Sequence, residues 1–356
     1  MNILFVHRVA DRSEASLVTW MSGIGDQVTV ICDPREPRKK EFEEAGAHVV
    51  PLRISNRLDL FAIPTIRKLC KQKPIDILYS SFNAGISCSL LATIGLPTRV
   101  VAYRGTLGNL SLFDPSSYLT HLSPILTGIV CNCAPIKKFL VSLGLREDTI
   151  RVVYKGHDPL WYKVSLPISK KDLQVPEDHL VVGLVANMRP LKGVEILIEA
   201  MRPLFEKFPL SLVLIGSDKG GTIAAKVRDL KLGERIKLLG FREDAAQLAS
   251  LFDIACLPST RREGVPRSIV EAMSHGKPCV VTDVGGLPDL VEHNQNGFIV
   301  PPLNSESLRD SLEKLIESKE LRDQFGSASR QRFDFLFSLE RYHEEMRDFF
   351  ERIPLI

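Results

Sequence analysis

Residues 180–208 read Leu180-Val-Val-Gly-Leu-Val-Ala186-Asn-Met-Arg189-Pro-Leu-Lys192-Gly193-Val194-Glu-Ile-Leu197-Ile198-Glu-Ala-Met201-Arg-Pro-Leu204-Phe205-Glu-Lys-Phe208, and their order decides the fold. The apolar run Leu180–Ala186 predicts a strand buried on both faces. A polar loop with Pro190 and Gly193 follows. Then Val194, Leu197, Ile198, Met201, Leu204, Phe205 and Phe208 recur at three- and four-residue steps, which predicts a helix with one apolar face. Strand, loop and amphipathic helix together form the repeating unit of a parallel α/β sheet.

The same alternation extends in both directions. Towards the C-terminus, strands are expected at Ser211–Ile215, Ile236–Leu239, Asp253–Leu257, Pro278–Thr282 and Gly297–Val300, with helical patterns from Ser305 to Arg352. Towards the N-terminus they are expected at Asn2–Val6, Gln27–Ile31, His48–Leu52, Ile75–Ser80, Thr98–Tyr103, Gly128–Asn132 and Ile150–Tyr154. Helices such as Leu58–Lys73 and Ala134–Leu143 lie between them. Between the two runs, Lys155–Asp178 holds Gly156, Pro159, Pro167 and Pro176 with little periodicity, the composition of a linker. The expected fold is therefore α/β: two doubly wound, Rossmann-like domains facing across a cleft. Their bounds are 1–160 and 179–335, with a linker at 161–178 and a C-terminal helix over 336–356 that crosses back to the first domain. Ligands of such sheets gather at the carboxyl ends of the strands.

Bulk properties fit this division. The chain has 356 residues, more than one core usually serves, with 44% hydrophobic and 25% charged residues. No apolar stretch approaches the roughly 18 residues of a membrane span. Met1–His7 reads as a strand and not a signal peptide, because a basic leader and a cleavage site are both missing, so a cytoplasmic location is expected. The seven cysteines are odd in number, and Cys32, Cys88, Cys131, Cys256 and Cys279 fall in apolar segments. Cys131-Asn-Cys133 has the wrong spacing for zinc and no histidine pair beside it, so no metal is expected. Net charge is +3, with 20 Lys+Arg against 14 Asp+Glu in residues 1–165 and 26 against 29 in the remainder. The basic first half suits an anionic surface or acceptor, or is simply a solvated face.

Three loops at strand ends carry the chemistry. Arg189 and Lys192 sit between a strand and a helix start, where cations oppose the helix dipole unless an anion such as a diphosphate lies between. In Pro258-Ser-Thr-Arg-Arg-Glu263-Gly264-Val265-Pro266-Arg267-Ser268-Ile-Val-Glu271, Pro266 suits the first turn of a helix that Gly276 ends. Gly264 allows close approach of backbone to a ligand, and the amides of Val265, Arg267 and Ser268 then offer an anion site. Glu263 in the loop and Glu271 in the helix would face opposite ends of an extended ligand, since carboxylates accept pairs of sugar or ribose hydroxyls. The third loop, Asp283-Val-Gly285-Gly286-Leu-Pro-Asp289, permits close approach to phosphate or sugar.

Taken together, the loops resemble the retaining glycosyltransferases of family 4, which have the GT-B fold. The matching residues are Arg189-Pro-Leu-Lys192-Gly193, Leu214-Ile-Gly216, Ile236-Lys-Leu-Leu-Gly240, Glu263 with Glu271, Glu271-Ala-Met-Ser-His-Gly276-Lys-Pro, Thr282-Asp-Val-Gly285-Gly286 and Asn296-Gly297-Phe-Ile-Val-Pro-Pro. They cover residues 180–303 in order. The first half matches more loosely. Val153-Tyr-Lys-Gly156-His157-Asp158 takes the place of an Asn-Gly-type turn, the loop His7–Ser13 lacks paired glycines, and Arg104-Gly105 stands where many members have His-Gly.

The resemblance implies a cytoplasmic enzyme with an acceptor-binding first domain and a second domain that binds a nucleotide-sugar donor. It implies that Arg189 and Lys192 hold the diphosphate, Glu271 the ribose and Glu263 the sugar, with Gly216, Gly240, Gly264, Val265, Arg267 and Ser268 lining the donor site. Arg104, Gly105 and His157 fall on the acceptor side. No metal or other cofactor is implied, because cationic and backbone donors stabilise the leaving diphosphate. The acceptor would be a glycan or lipid-linked glycan of cell-surface polysaccharide or lipopolysaccharide type. Two apolar stripes, within Leu58–Lys73 and Thr106–Leu126, are either core faces or a peripheral contact with the inner membrane.

Other readings stay open. A GT-B epimerase or phosphorylase, or a nucleotide-sugar-binding protein without transferase activity, shares the architecture. A dehydrogenase would need Gly-x-Gly-x-x-Gly after a first strand, which neither Val6–Ser13 nor Ala186–Val194 supplies. Nucleic-acid binding is disfavoured by near-neutral charge and the lack of a basic patch interleaved with aromatics.

Overall fold

A computed structural model describes residues 1–163 and 167–354, and the chain divides into two units. The first comprises Met1–His157 and Phe337–Ile356, the second Asp158–Leu336.

In the first unit the strands are β1 (Asn2–Val6), β2 (Gln27–Cys32), β3 (His48–Pro51), β4 (Ile77–Ser80), β5 (Arg99–Arg104), β6 (Gly128–Cys131) and β7 (Ile150–Val152). All pair in parallel in the order β3-β2-β1-β4-β5-β6-β7. The order reverses between β1 and β4, so the loops leaving these two strands diverge to opposite faces of the sheet and leave a crevice. Strand β4 is buried at every residue, as a central parallel strand with helices on both faces must be. One face packs Ile3, Phe5, Val30 and Tyr79 against Tyr342, Met346, Phe349 and Phe350 of the last helix, Leu339–Arg352. Each fully buried side chain of this kind contributes roughly 1.5–3 kcal/mol. The opposite face packs Leu4, Val6 and Leu78 against Ile66 and Cys70 of the helix Ala62–Gln72.

The second unit repeats the plan with β8 (Leu180–Val185), β9 (Leu210–Ile215), β10 (Ile236–Gly240), β11 (Ile254–Leu257), β12 (Cys279–Thr282) and β13 (Gly297–Val300). They form a parallel sheet in the order β10-β9-β8-β11-β12-β13. Its reversal lies between β8 and β11. Val194, Leu197, Ile198, Met201, Leu204 and Phe205 of the helix Val194–Lys207 are all buried, as their spacing predicts.

Two local differences from expectation have clear causes. The helix expected from Leu58 begins at Ala62, because the Asp59 carboxylate accepts hydrogen bonds from the Phe61 and Ala62 amides at 3.0 Å and the Ser55 amide at 2.9 Å. That turn occupies the backbone that a longer helix would need. The segment read as a linker, 161–178, carries the 3-10 turn Lys170–Leu173, and Leu173 and Val175 are buried with Val181, Val213 and Phe252 in the second unit's core. Residues 164–166 of that linker, and 355–356 of the expected final helix, lie outside the described residues. Among the described residues, no helix is long and apolar enough to cross a membrane.

Candidate functional site

The reversal point of the second sheet brings together the loops after β8 and β11. After β8 the chain does not enter its helix directly. A 3-10 turn, Pro190–Lys192, intervenes, and Gly193 takes a left-handed conformation at φ 68°. A Cβ there would stand 1.9 Å from the Pro258 carbonyl oxygen, so only glycine lets this loop lie against the β11 loop. The Thr260 amide donates to the Leu191 carbonyl at 2.8 Å and fastens the two loops together.

This contact sets Lys192 beside Glu263. The Lys192 Nζ donates to Glu263 Oε2 at 2.7 Å, and the fully buried Ser259 hydroxyl donates to the same oxygen at 2.7 Å. The two charged side chains are only 12% and 10% exposed, enough shielding from water to make the pair more than a surface contact. Behind Glu263 stands the third loop. A Cβ on Gly285, φ 56°, would lie 1.9 Å from the Glu263 carbonyl oxygen, and the Gly286 amide donates to that oxygen at 3.3 Å. The paired glycines thus make their close approach to the backbone of Glu263.

The helix after this loop is Arg267–Ser274, with Pro266 as its cap residue just outside the first turn. Gly276 follows its end at φ 65°. No side chain caps the helix start, and among the described residues the amides of Val265, Arg267 and Ser268 have no hydrogen-bond acceptor. Helix starts of this kind attract anions. Glu271 is buried on this helix, 3.6 Å from the largely exposed Arg267 guanidinium. Arg189 is exposed on the loop after β8. A cavity of about 400 Å³ beside it is lined also by Gly193, Thr222, Thr260, Arg261 and Leu303. Neither Lys192 nor Glu263 lines it, so cavity and ion pair are neighbouring features and not one pocket. Gly216 and Gly240 follow or end β9 and β10, the Gly216 amide donating to the Gly240 carbonyl at 2.7 Å. All the expected donor residues therefore stand at the carboxyl ends of one sheet.

The acceptor-side residues read differently. Arg104 is buried, and its guanidinium donates to the carbonyls of Thr106, at 3.0 Å, and Gly108. It braces its own loop. Gly105 follows it, against the Tyr103 ring. His157 is buried at the end of the first unit's main segment; its amide donates to the Phe337 carbonyl at 2.7 Å, and its ring meets the Phe337 ring edge-on at 5.6 Å. That is a packing position where the chain leaves and re-enters the unit.

A second cluster, not anticipated from sequence, lies at the reversal point of the first sheet. His7 follows β1 and Ser81 follows β4, and His7 Nδ1 lies 3.4 Å from the Ser81 hydroxyl and 3.5 Å from Glu14 Oε2. The Lys155 ammonium donates to Asp11 at 2.5 Å and Glu14 at 3.0 Å, and lies 4.4 Å from the centre of the Tyr103 ring. Burial works against the charge of Lys155, but the electrostatic pull of Tyr103, Glu14 and Asp11 holds its pKa above the usual lysine range. Burial pushes His7 down, against the pull of Glu14. Asp11-Arg-Ser-Glu14 is a legible capping box, and its reciprocal bonds are present. Lys155 arrives from more than 140 residues away, and nothing local in sequence announces it.

Two Rossmann-like units with parallel sheets, the second presenting cationic and amide donors at its reversal point, define a GT-B protein. The comparisons with known proteins place it further: the chain belongs to the family 4, or group 1, glycosyltransferases. The model described as "Glycosyltransferase Family 4" matches residues 12–159, and that of "Glycosyl transferases group 1" matches residues 167–332. An N-acetyl-alpha-D-glucosaminyl L-malate synthase of Bacillus anthracis is 25% identical over 209 residues, 56% of this chain and 55% of the relative. A UDP-Gal:alpha-D-GlcNAc-diphosphoundecaprenol alpha-1,3-galactosyltransferase of Escherichia coli is 29% identical over 319 residues, 83% of this chain and 81% of the relative. The crystal structure of Anabaena Alr3699/HepE in complex with UDP superposes with a TM-score of 0.77 at 23% identity, covering 98% of this chain and 99% of that one. The chain spans about half the length of several curated relatives that it matches.

Proposed function

We propose that the protein transfers a sugar, with retention and without a metal, from a nucleoside-diphosphate sugar to a hydroxyl of a glycan or lipid-linked glycan. The observation that carries this reading is the Lys192–Glu263–Ser259 constellation beside the uncapped start of Arg267–Ser274. The diphosphate lies between Arg189, Lys192 and the amides of Val265, Arg267 and Ser268. These donors oppose the charge that grows on the leaving phosphate as the glycosidic bond breaks. Glu271 accepts the ribose hydroxyls, and Glu263, held in place by Lys192 and Ser259, accepts hydroxyls of the sugar. The acceptor hydroxyl attacks from the face the diphosphate leaves. A surface-polysaccharide product is supported by the E. coli relative, whose name specifies a diphosphoundecaprenol-linked acceptor.

A thermal-shift panel of UDP-, GDP-, ADP- and CMP-sugars tests the donor site. UDP-sugars are the first arm, because the E. coli relative's name and the Anabaena complex both specify UDP. At a hundredfold excess over Kd a bound donor stabilises the fold by about 2.7 kcal/mol, several degrees in melting temperature. The shift should vanish in Glu271→Ala, and sugar should reach an added glycan acceptor. Absence of any shift sinks the reading; an isomerised sugar formed without acceptor replaces it with an epimerase.

A further inference from the structure

We propose that the first unit holds a further ligand site, a cavity between the segment 112–129 and the end of the helix Ala134–Ser142, which takes a small apolar molecule carrying one hydroxyl or N–H donor. The cavity has a volume of about 410 Å³, within the range of small-molecule sites. Leu122, Leu126, Ile129, Leu143 and Leu145 supply its apolar wall. Leu122 and Leu126 are buried, so this part of the apolar stripe within Thr106–Leu126 is turned inward, to the cavity.

Both walls are fixed by local hydrogen bonds. The helix ends in a Schellman turn, in which the Gly144 amide donates to the Val141 carbonyl at 2.9 Å and the Leu145 amide to the Leu140 carbonyl at 3.3 Å, with Gly144 at φ 89°. This turn carries Leu143 and Leu145 into the wall. On the other wall, the Leu122 amide donates to the Ser117 carbonyl at 3.0 Å. The Ser123 amide donates to the Thr120 carbonyl, and the Leu126 amide to the Ser123 carbonyl, each at 3.2 Å. The cavity is therefore preformed, and a ligand need not order its lining.

His121 selects the ligand. It lines the cavity, is 1% exposed, and its Nε2 lies 3.1 Å from the Tyr103 carbonyl oxygen. A carbonyl only accepts, so Nε2 carries the ring proton. Burial, with Arg104 nearby, keeps the imidazole neutral, which makes Nδ1 an acceptor. That atom is buried and has no hydrogen-bond partner among the described residues. Unpaired buried acceptors are rare and costly. Neighbouring hydroxyls do not supply the missing proton. The Tyr118 hydroxyl donates to the Leu112 carbonyl at 3.1 Å, and the Thr149 hydroxyl to the Arg146 carbonyl at 2.8 Å. One hydroxyl or N–H on an otherwise apolar molecule would satisfy Nδ1 and cover the aliphatic wall together, whereas a lone water would leave most of its own bonds unmade against that wall. A sugar, polar on every side, does not suit the same wall, which sets this site apart from those of the proposed transfer.

Methyl NMR of the full chain, labelled at leucine and isoleucine, tests this with two probes. Indole has an N–H that donates; benzofuran is a near-isostere whose ring oxygen only accepts. Indole should saturably shift the methyls of Leu122, Leu126, Ile129, Leu143 and Leu145, with a Kd about tenfold or more below that of benzofuran, because benzofuran leaves Nδ1 unpaired. His121→Leu removes the acceptor and should bring the two affinities within about twofold of each other. Ser123→Trp, which fills the cavity from its own wall, should abolish the shifts with either probe, while the donor-induced thermal shift stays unchanged. Absence of any saturable shift with indole, equal affinity for both probes in the unaltered chain, shifts centred on other methyls, or indole binding that survives Ser123→Trp overturns the proposal. Because donor binding is read separately, failure here leaves the transferase reading intact, and the reverse holds.

Discussion

Lys155 in the first unit and Lys192 in the second both lie within hydrogen-bonding reach of carboxylates at the reversal point of a parallel sheet, but their surroundings differ in sign. Lys155 faces two carboxylates, and the nearby His7 is kept neutral by burial, so the cluster neutralises its charge from within. Among the described residues Lys192 pairs with Glu263 alone, and the loops and helix start at the same sheet end also carry the exposed Arg189, Arg267 with its partner Glu271, and open amides. The first arrangement is a brace that ties the loop after β7 to the first helix. The second keeps a surplus of positive potential, which is what an incoming diphosphate needs. Position at a strand end therefore does not make a receptor site; the local balance of charge does.

The largest effect should come from breaking the brace. Lys155→Met leaves Asp11 and Glu14 without their cation and should cost about 3–5 kcal/mol in denaturant unfolding. A loss under about 1 kcal/mol would remove the contrast drawn above. Lys192→Met should instead lower kcat by roughly 10²–10³-fold, with a smaller change in unfolding midpoint. Unaltered turnover, or a stability loss equal to that of Lys155→Met, would make the two lysines equivalent.

Acid sharpens the comparison next. His121 is pushed down to about 4 by burial with Arg104 nearby, and burial also lowers His7 and brings His343 to about 4. All three belong to the first unit; in the second, His275 is lowered by burial. These imidazoles stay neutral when folded, whereas in the unfolded chain they take a proton near pH 6.5. Their contribution is fully present above 6.5 and is lost as pH falls towards 4. His121 alone accounts for roughly 3 kcal/mol of that loss. Segment-resolved hydrogen exchange should show the first unit losing protection faster than the second between those pH values, and His121→Gln should flatten the difference. The smallest effect belongs to Arg267→Ala. Its guanidinium is largely exposed and 3.6 Å from the buried Glu271, so stability should change by less than about 1 kcal/mol while the donor KM rises severalfold.

The strands and the amphipathic helix Val194–Lys207 were legible because burial on one or both faces imposes a period on the chain itself. The placement of the proposed donor residues was legible as a group, because strand–helix alternation fixes where the strand-end loops fall. What each group touches was less so. Nothing in Arg189-Pro-Leu-Lys192-Gly193 reveals that Lys192 turns to Glu263, 71 residues on, nor that Gly285 is needed by the backbone of that same glutamate. Arg104 stood at an acceptor-side position by resemblance, yet its donors go to its own loop. A guanidinium that finds carbonyls two and four residues away satisfies itself locally, and the identity of the residue does not announce that choice.

By itself the sequence determined the two α/β units, their strand-end loops and the family, since these rest on periodicity and on residues close along the chain. Tertiary structure decided which charges meet. It set Lys155 between Asp11 and Glu14, joined Lys192 to Glu263, and left Leu60, Phe61 and Phe113 outside while Ile66 and Cys70 went in. Hydrophobic pattern has a period that can be read along a chain. A Coulombic or hydrogen-bonded pair depends on the distance between two side chains, and that exists only once the sheets have brought distant loops together.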